Sequence, residues 1–222
     1  MASRRTENVV RRLAARHDAI LAAAAALAAE AGINAVQIAP VAERAGIAAG
    51  TVYRYFPSKT DLVAALVAAV SEREIGAMRR AADAAPGPLS AIAAAVTTFA
   101  ARALRAPKLA FALLAEPVDV DTDAARLDYR KALAAELTRR LAAAIAARAL
   151  PEQDVAVTAP ALIGAILEGL VGPLAVPAAE DPKARDAVQT LTLFALRAAG
   201  VVDAHARGLV VQTRLPAVQR TA

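Results

Sequence analysis

The chain has 222 residues, 58% of them hydrophobic and only 3% aromatic, with no cysteine and a net charge of +5. Disulfides and thiolate metal sites are therefore excluded, and a reducing compartment is compatible. Alanine, leucine, arginine and glutamate stand where strands would need β-branched and aromatic residues, so the composition predicts an all-α protein with a sizeable core.

Residues 1–12 are polar and basic, are expected to form a disordered arm, and lead into no apolar run, so no signal peptide is expected. From about Arg11 to Ala31 the apolar positions Leu13, Ile20, Leu21, Ala24, Leu27, Ala28 and Ala31 recur at helical spacing, and Gly32 ends the helix. A short helix from Ile38 to Ala45 tolerates Pro40 in its first turn, and Gly46 breaks it. A third helix covers about Ala48 to Phe56. Ser58 is then the expected N-cap, with Asp61 in the first turn, of a long helix to Ala84. After the Pro86-Gly87-Pro88 break, helices are predicted at about 88–105, 107–115, 123–149, 155–174 and 181–199, with a flexible tail over 201–222. This divides the chain into an arm (1–12), a unit of short helices (13–58), a larger helical unit (59–200) and the tail. The apolar run from Val155 to Val176 is long enough to raise a membrane span, but it carries Glu168, Pro160, Pro173 and three glycines. A helix buried on two sides accounts for it as well, and no membrane association is expected.

The charge is unevenly placed. Residues 1–60 hold eight Lys/Arg against four Asp/Glu, leaving +4 of the total there, where a polyanion would bind. In the same region Ala42, Gly46 and Val52 have helix-turn-helix spacing. The first helix offers a small residue for close approach, the turn a glycine, and the second helix a branched apolar residue to lock the pair. Val41, Ile47 and Val52 are expected to face the core with Ile20, Leu27 and Leu62. The 48–56 helix is then the recognition helix in a major groove, with Thr51, Tyr53, Tyr55 and Lys59 beside the duplex. Lys59 also opens the next helix, whose amides are expected to add to a phosphate site. Phe56 is read as core.

The segment Ala42-Glu-Arg-Ala-Gly-Ile-Ala-Ala-Gly-Thr-Val-Tyr-Arg-Tyr-Phe-Pro-Ser-Lys-Thr-Asp-Leu62 closely resembles the signature of the TetR family of transcriptional regulators. Ile20-Leu-Ala-Ala-Ala and Ala28-Ala-Glu-Ala-Gly32 resemble that family's first helix, so the motif match covers roughly 13–66. The resemblance implies an all-helical homodimer, usually a repressor, with three DNA-binding helices and a small-molecule pocket behind them. It implies that effector binding moves the fourth helix and releases the double-stranded operator. It places Thr51, Tyr53 and Lys59 on phosphates, and Arg44, Ala48, Ala49 and Arg54 near bases or backbone. The chain departs from the family where a Thr or Ser often caps the second helix: Val36-Gln37 stand here, and Gln37 reaches a phosphate or an adenine edge. Ala48-Ala49 stand where a polar residue often opens the recognition helix, and alanine contacts only a thymine methyl. Sequence choice then rests more on Gln37, Arg44, the basic arm and DNA shape.

Polar residues inside apolar helical stretches are the handle on the effector pocket: Thr97, Thr98, Arg102, Glu116, Asp128, Tyr129, Arg130 and Glu168. Glu168 leads, because a buried carboxylate needs a partner, and Phe99, Phe111 and Tyr129 supply aromatic lining for an apolar or amphipathic effector. The pocket is expected to be lined by Thr98, Phe99, Arg102, Phe111, Glu116, Tyr129 and Glu168. For the homodimer face the 155–174 and 181–199 helices offer Ile163, Gly164, Leu167, Leu170, Leu193 and Leu196. No cofactor or metal is expected, and a cytoplasmic location is. His17 and His205 lie far apart with no nucleophile pattern, so enzyme chemistry has no support. A helical dimerisation protein without specific DNA binding is the competing reading. Replacing Ala48 and Ala49 by serine is expected to leave the preferred operator unchanged, as read by selection from random duplexes. Loss of specific binding at unchanged helicity would instead assign the readout to those methyls.

Overall fold

The computed structural model describes residues 2–118, 120–173, 175 and 181–215, and every regular element among them is helical. The elements are α1 (Ala2–Ala31), a 3-10 turn (Ile33–Ala35), α2 (Ile38–Arg44), α3 (Ala49–Tyr55), α4 (Lys59–Asp83), α5 (Pro88–Arg105), α6 (Pro107–Leu114), α7 (Val120–Ala146), α8 (Val155–Val171), α9 (Asp181–Ala198) and α10 (Asp203–Gln212).

Two expectations are corrected at the chain's ends. The basic arm is the first part of α1, because no glycine or proline interrupts Ala2–Ala31 and its residues are good helix formers. Val9, Val10 and Leu13 are 46%, 59% and 50% exposed, so this part of α1 projects beyond the packed body and Leu13 leaves the expected core stripe. At the other end, α10 replaces part of the expected flexible tail. Ala206 and Leu209, at i and i+3, are buried, and Asp203 ties the helix down by accepting from Arg197 of α9. Residues 216–222 of that tail lie outside the described residues.

The first three helices close on one small core of Ile20, Ala24, Ala28, Val41, Ala42 and Val52. Gly32 and Gly46 make the two sharp turns at φ +84° and +65°, the left-handed region where a side chain is strained. α4 leaves this core at Ser58, whose Oγ accepts the Asp61 N–H at 3.0 Å, as the N-cap expectation requires. Its apolar stripe Leu62, Leu66, Val70 and Met78 then runs against α1 at one end and α5 and α7 at the other.

The most enclosed helix is α5, not α8. Eleven of its residues are buried, among them Ile92, Ala93, Ala95, Val96 and Ala100, which lets α4, α7, α8 and α9 approach it closely. Thr97 faces Thr192 of α9 at 3.0 Å inside this core, and Thr192 Oγ1 donates to the Val188 carbonyl. The apolar run at α8 has one open face, with Val157, Ala161, Gly164 and Ala165 exposed. No single helix among the described residues is long and apolar enough to cross a membrane.

One buried ion cluster joins α4 to α7. The Glu136 side chain is fully buried and accepts from Arg140 Nε at 2.8 Å, Arg139 Nη2 at 2.8 Å and Arg79 Nε at 3.0 Å. Arg140, itself only 9% exposed, also donates to Asp83 at 2.6 Å. Burial pushes the Glu136 carboxyl up, but the three arginines outweigh it and hold it below its ordinary 4.5. A lowered carboxylate stabilises the fold above its unfolded value and loses that contribution as pH falls through the folded one. Glu136→Ala leaves Arg140 buried without its main partner and is expected to cost about 3 kcal/mol in urea unfolding at pH 7. The gap between wild type and variant should narrow as the pH falls below about 4.5.

Candidate nucleic-acid interface and ligand cavity

α3 is held by its inward face. Val52 is fully buried and Phe56, one turn on, is 4% exposed. The 3.6-residue period then turns Gly50, Tyr53 and Arg54 outward, with Ala49, Thr51 and Tyr55 at the margins. Tyr53 is 53% exposed, which for a large aromatic beside a cation marks a contact surface. Ala48 caps α3 without any side-chain hydrogen bond, so the tip of this helix is formed by methyl groups and backbone. Lys59 stands half-buried at the first position of α4. Of the amides expected to help it, the Asp61 N–H is already taken by Ser58.

The other expected contacts have partners within the chain. Arg44 donates from Nη1 and Nη2 to the two carboxylate oxygens of Glu30 at 2.5 and 2.6 Å, an exposed bidentate pair. Glu30 had no sequence signal beyond its charge. Gln37 is exposed and donates to the Asn34 carbonyl at 3.0 Å rather than capping α2. Tyr55 is half-buried, its ring 6.4 Å from that of His17 and 6.5 Å from that of Phe56, so part of it is packing. His17 lies on α1, and the exposed Arg11, Arg12 and Arg16 stand on the same helix in the turns before it.

Behind this domain a cavity of about 50 Å³ opens between α4, α5, α6 and α7. That volume holds only a few waters. Its walls include Val70, Phe99, Leu109, Leu113 and Leu114, and its polar members are Arg73, Glu74, Arg102 and Tyr129. Three of the seven expected pocket residues, Phe99, Arg102 and Tyr129, meet here. Glu74, which carries the polar end, was missed because Glu72-Arg73-Glu74 reads as a solvated charge run. Glu74 accepts from Arg102 Nε and, at 2.9 Å, from Arg102 Nη2, and from Arg73 Nε at 3.1 Å. Burial raises its pKa, and the two arginines more than offset that, leaving it below the ordinary range.

Four expected pocket residues lie elsewhere. Thr98 is buried in α5 away from the cavity. Phe111 is 40% exposed on the outer side of α6, in a shallow groove with Ala28, Glu30 and Gly32. Glu168 is exposed on α8, beside a groove shared with Leu127, Arg130 and Ile163. Glu116 ties the end of α6 to the turn after α1: its Oε2 accepts the Ile33 N–H at 2.8 Å, 83 positions away in sequence. The expected dimer residues are corrected as well. Ile163, Leu167, Leu170 and Leu196 are buried in the chain's own core, because α7 and α9 already cover that side of α8. Gly164 is exposed and Leu193 half-exposed, and Val157 and Phe194 extend the open surface.

Residues 20–66, which span α1 to the start of α4, match the family of bacterial regulatory proteins named tetR. Over that stretch the chain carries the signature of the tetR-family DNA-binding segment. It is 52% identical over 58 residues to the HTH-type transcriptional repressor KstR of Rhodococcus jostii (strain RHA1), covering 26% of this chain and 27% of that protein. With KstR of Mycobacterium tuberculosis (strain ATCC 25618 / H37Rv) it shares 52% over 48 residues, 22% of each chain. The match therefore spans about a quarter of the length of these curated relatives. Among solved structures, RolR without ligand superposes with a TM-score of 0.67 at 21% identity over 90% of this chain and 99% of that one. FadR from Bacillus subtilis in complex with stearoyl-CoA gives 0.68 at 20% identity, over 83% and 98%. At these identities the likeness is one of fold, and it runs over most of the chain.

The contact between Gly32 and Glu116 has a sharp steric test. A Cβ on Gly32 would sit 2.7 Å from Glu116 Oε1, in a backbone conformation already unfavourable to a side chain. Gly32→Ala is expected to destabilise the protein by about 1–3 kcal/mol. Gly50→Ala, with open space around the new methyl and a helical position, is expected to stabilise it by about 0.5–1 kcal/mol. Thermal melts of the two variants read the opposite signs directly.

Proposed function

We propose that the protein is a ligand-responsive, DNA-binding transcriptional regulator, a repressor that a small molecule releases from its double-stranded operator. The observation that carries this is the shared helix α4. Its first residue, Lys59, is one of the cations expected to contact DNA beside α3, and Val70, Arg73 and Glu74 on the same helix line the cavity. A ligand that widens the cavity acts on α4, and α4 carries the effect to the reading head. The N-terminal relatives are repressors by name, and FadR was solved with stearoyl-CoA and RolR with resorcinol, so a ligand in this fold has precedent.

Thr51, Tyr53, Arg54 and Lys59 hold phosphates in this reading. Gln37 and Arg44 supply polar contacts near bases, and Ala48 and Ala49 permit close approach. Arg44 must exchange Glu30 for DNA, so Glu30 acts as its competitor in the free protein. The regulator works as a cytoplasmic homodimer with no cofactor. The outward face of α8 and α9 around Val157, Gly164, Leu193 and Phe194 forms the subunit contact, since two copies are needed to engage two half-sites.

The test begins with duplexes selected from a random pool, followed by titration of affinity against salt. The logarithm of the binding constant should fall linearly with the logarithm of salt concentration, by about 0.9 per phosphate contacted. Lys59→Gln and Arg54→Gln should each make that slope shallower by about one. Selection of no duplex, or a slope near zero, would refute the regulator and favour the helical dimerisation protein.

A further inference from the structure

We infer that the cavity between α4 and α7 takes a small amphiphilic monoanion, an apolar body ending in one carboxylate, seated against Tyr129 and Arg102. The inference rests on the regulator reading only for what the ligand does to DNA. The site itself is argued from its donors, acceptors and charge.

The polar end of the cavity has more donors than acceptors. Glu74 is its one acidic member, and it is already occupied by Arg102 Nε and Nη2 and by Arg73 Nε. Those bonds leave Arg102 Nη1 without a hydrogen bond among the described residues. Tyr129 is 3% exposed, lines the cavity, and its hydroxyl has no hydrogen-bond partner among the described residues. The hydroxyl is not sealed off from the cavity, so an acceptor arriving there meets its donor. Burial, reinforced by the Glu74 charge, pushes the Tyr129 phenol well above its ordinary value, so it stays a donor at any physiological pH.

The charge points the same way. Arg73 and Arg102 against Glu74 leave one uncompensated positive charge at this end. A carboxylate neutralises it and supplies two oxygens, one for the Tyr129 hydroxyl and one for Arg102. An alcohol leaves the charge uncompensated, and an ammonium group adds to it while offering no acceptor. The remaining wall, Val70, Phe99, Leu109 and Leu113, accepts only an apolar body. Because the free volume is about 50 Å³, the body enters by parting α6 from α4, which makes binding visible as a change in stability.

The probes are octanoate, octan-1-ol and octylamine, titrated calorimetrically into the full-length protein near neutral pH. Octanoate should bind at least about tenfold more tightly than octanol, the ratio expected for a charge-assisted pair partly out of water, and octylamine should not saturate. Tyr129→Phe, which removes a single oxygen, should lower octanoate affinity about tenfold and leave octanol unchanged. Arg102→Gln should abolish the preference of octanoate over octanol, with helicity and melting recorded to show that the fold survives. Equal binding of octanol and octanoate, or octanoate affinity untouched by Tyr129→Phe, overturns the inference. Failure of octanoate to bind a protein that still holds its selected duplex also overturns it and leaves the regulator intact. Tyr129-dependent octanoate binding that does not weaken the DNA complex supports the site and refutes ligand release.

Discussion

The buried carboxylate of Glu136 fixes the far end of α4. A carboxylate without solvent must be matched by donors, and here three arginines from α4 and α7 converge on it while Arg140 reaches on to Asp83. Such a cluster has one good geometry. It anchors the C-terminal half of α4 to α7, so the movement of α4 in the proposed mechanism falls on the segment N-terminal to it. The N-terminal end is held by apolar packing of Leu62 and Leu66, which has no comparable directionality.

The second constraint is the use of alanine as the packing residue. In α5, Ala91, Ala93, Ala95, Ala100 and Ala103 are all buried, which brings helix axes close and leaves little empty space. The cavity is small for the same reason that the core is tight. The ligand we propose would act as a wedge between helices that otherwise touch, and its bonds to Tyr129 and Arg102 would offset the work of parting them.

Much of the head was legible because its constraints are local. Gly46 at a positive φ, Val52 and Phe56 inside, and Ser58 capping Asp61 each follow from residues within a few positions of one another. The ends were misread because an arginine-rich run and a short alanine-rich run carry weak apolar signals, yet both are helical. The cavity was half legible. Phe99, Arg102 and Tyr129 interrupt their surroundings enough to be noticed, whereas Glu74 sits in a charge run and gains its role only when α5 brings Arg102 to it across 28 positions. Glu116 and Glu168 show the converse: acidic residues that look anomalous in sequence, one bonding a distant backbone amide and the other on an open face. At α8, hydrophobic content indicated burial, but only the disposition of α7 and α9 decides which side is covered.

The continuity of α4 from Lys59 to Asp83 has a mechanical consequence. Fifteen residues separate Lys59 from Glu74, an arm of about 22 Å at the helical rise. A pivot at the cavity therefore moves Lys59 by about 0.4 Å per degree of tilt. In the proposed homodimer, two copies tilting in opposite senses change the separation of their N-terminal helices by twice that, and a tilt of only five degrees exceeds the length tolerance of a hydrogen bond to phosphate. Release on that proposal needs no hinge and no unfolding. A helix stiff enough to stay straight, loaded near its clamped end, is a gear that turns a displacement of about an ångström among buried side chains into a misfit of several at the duplex.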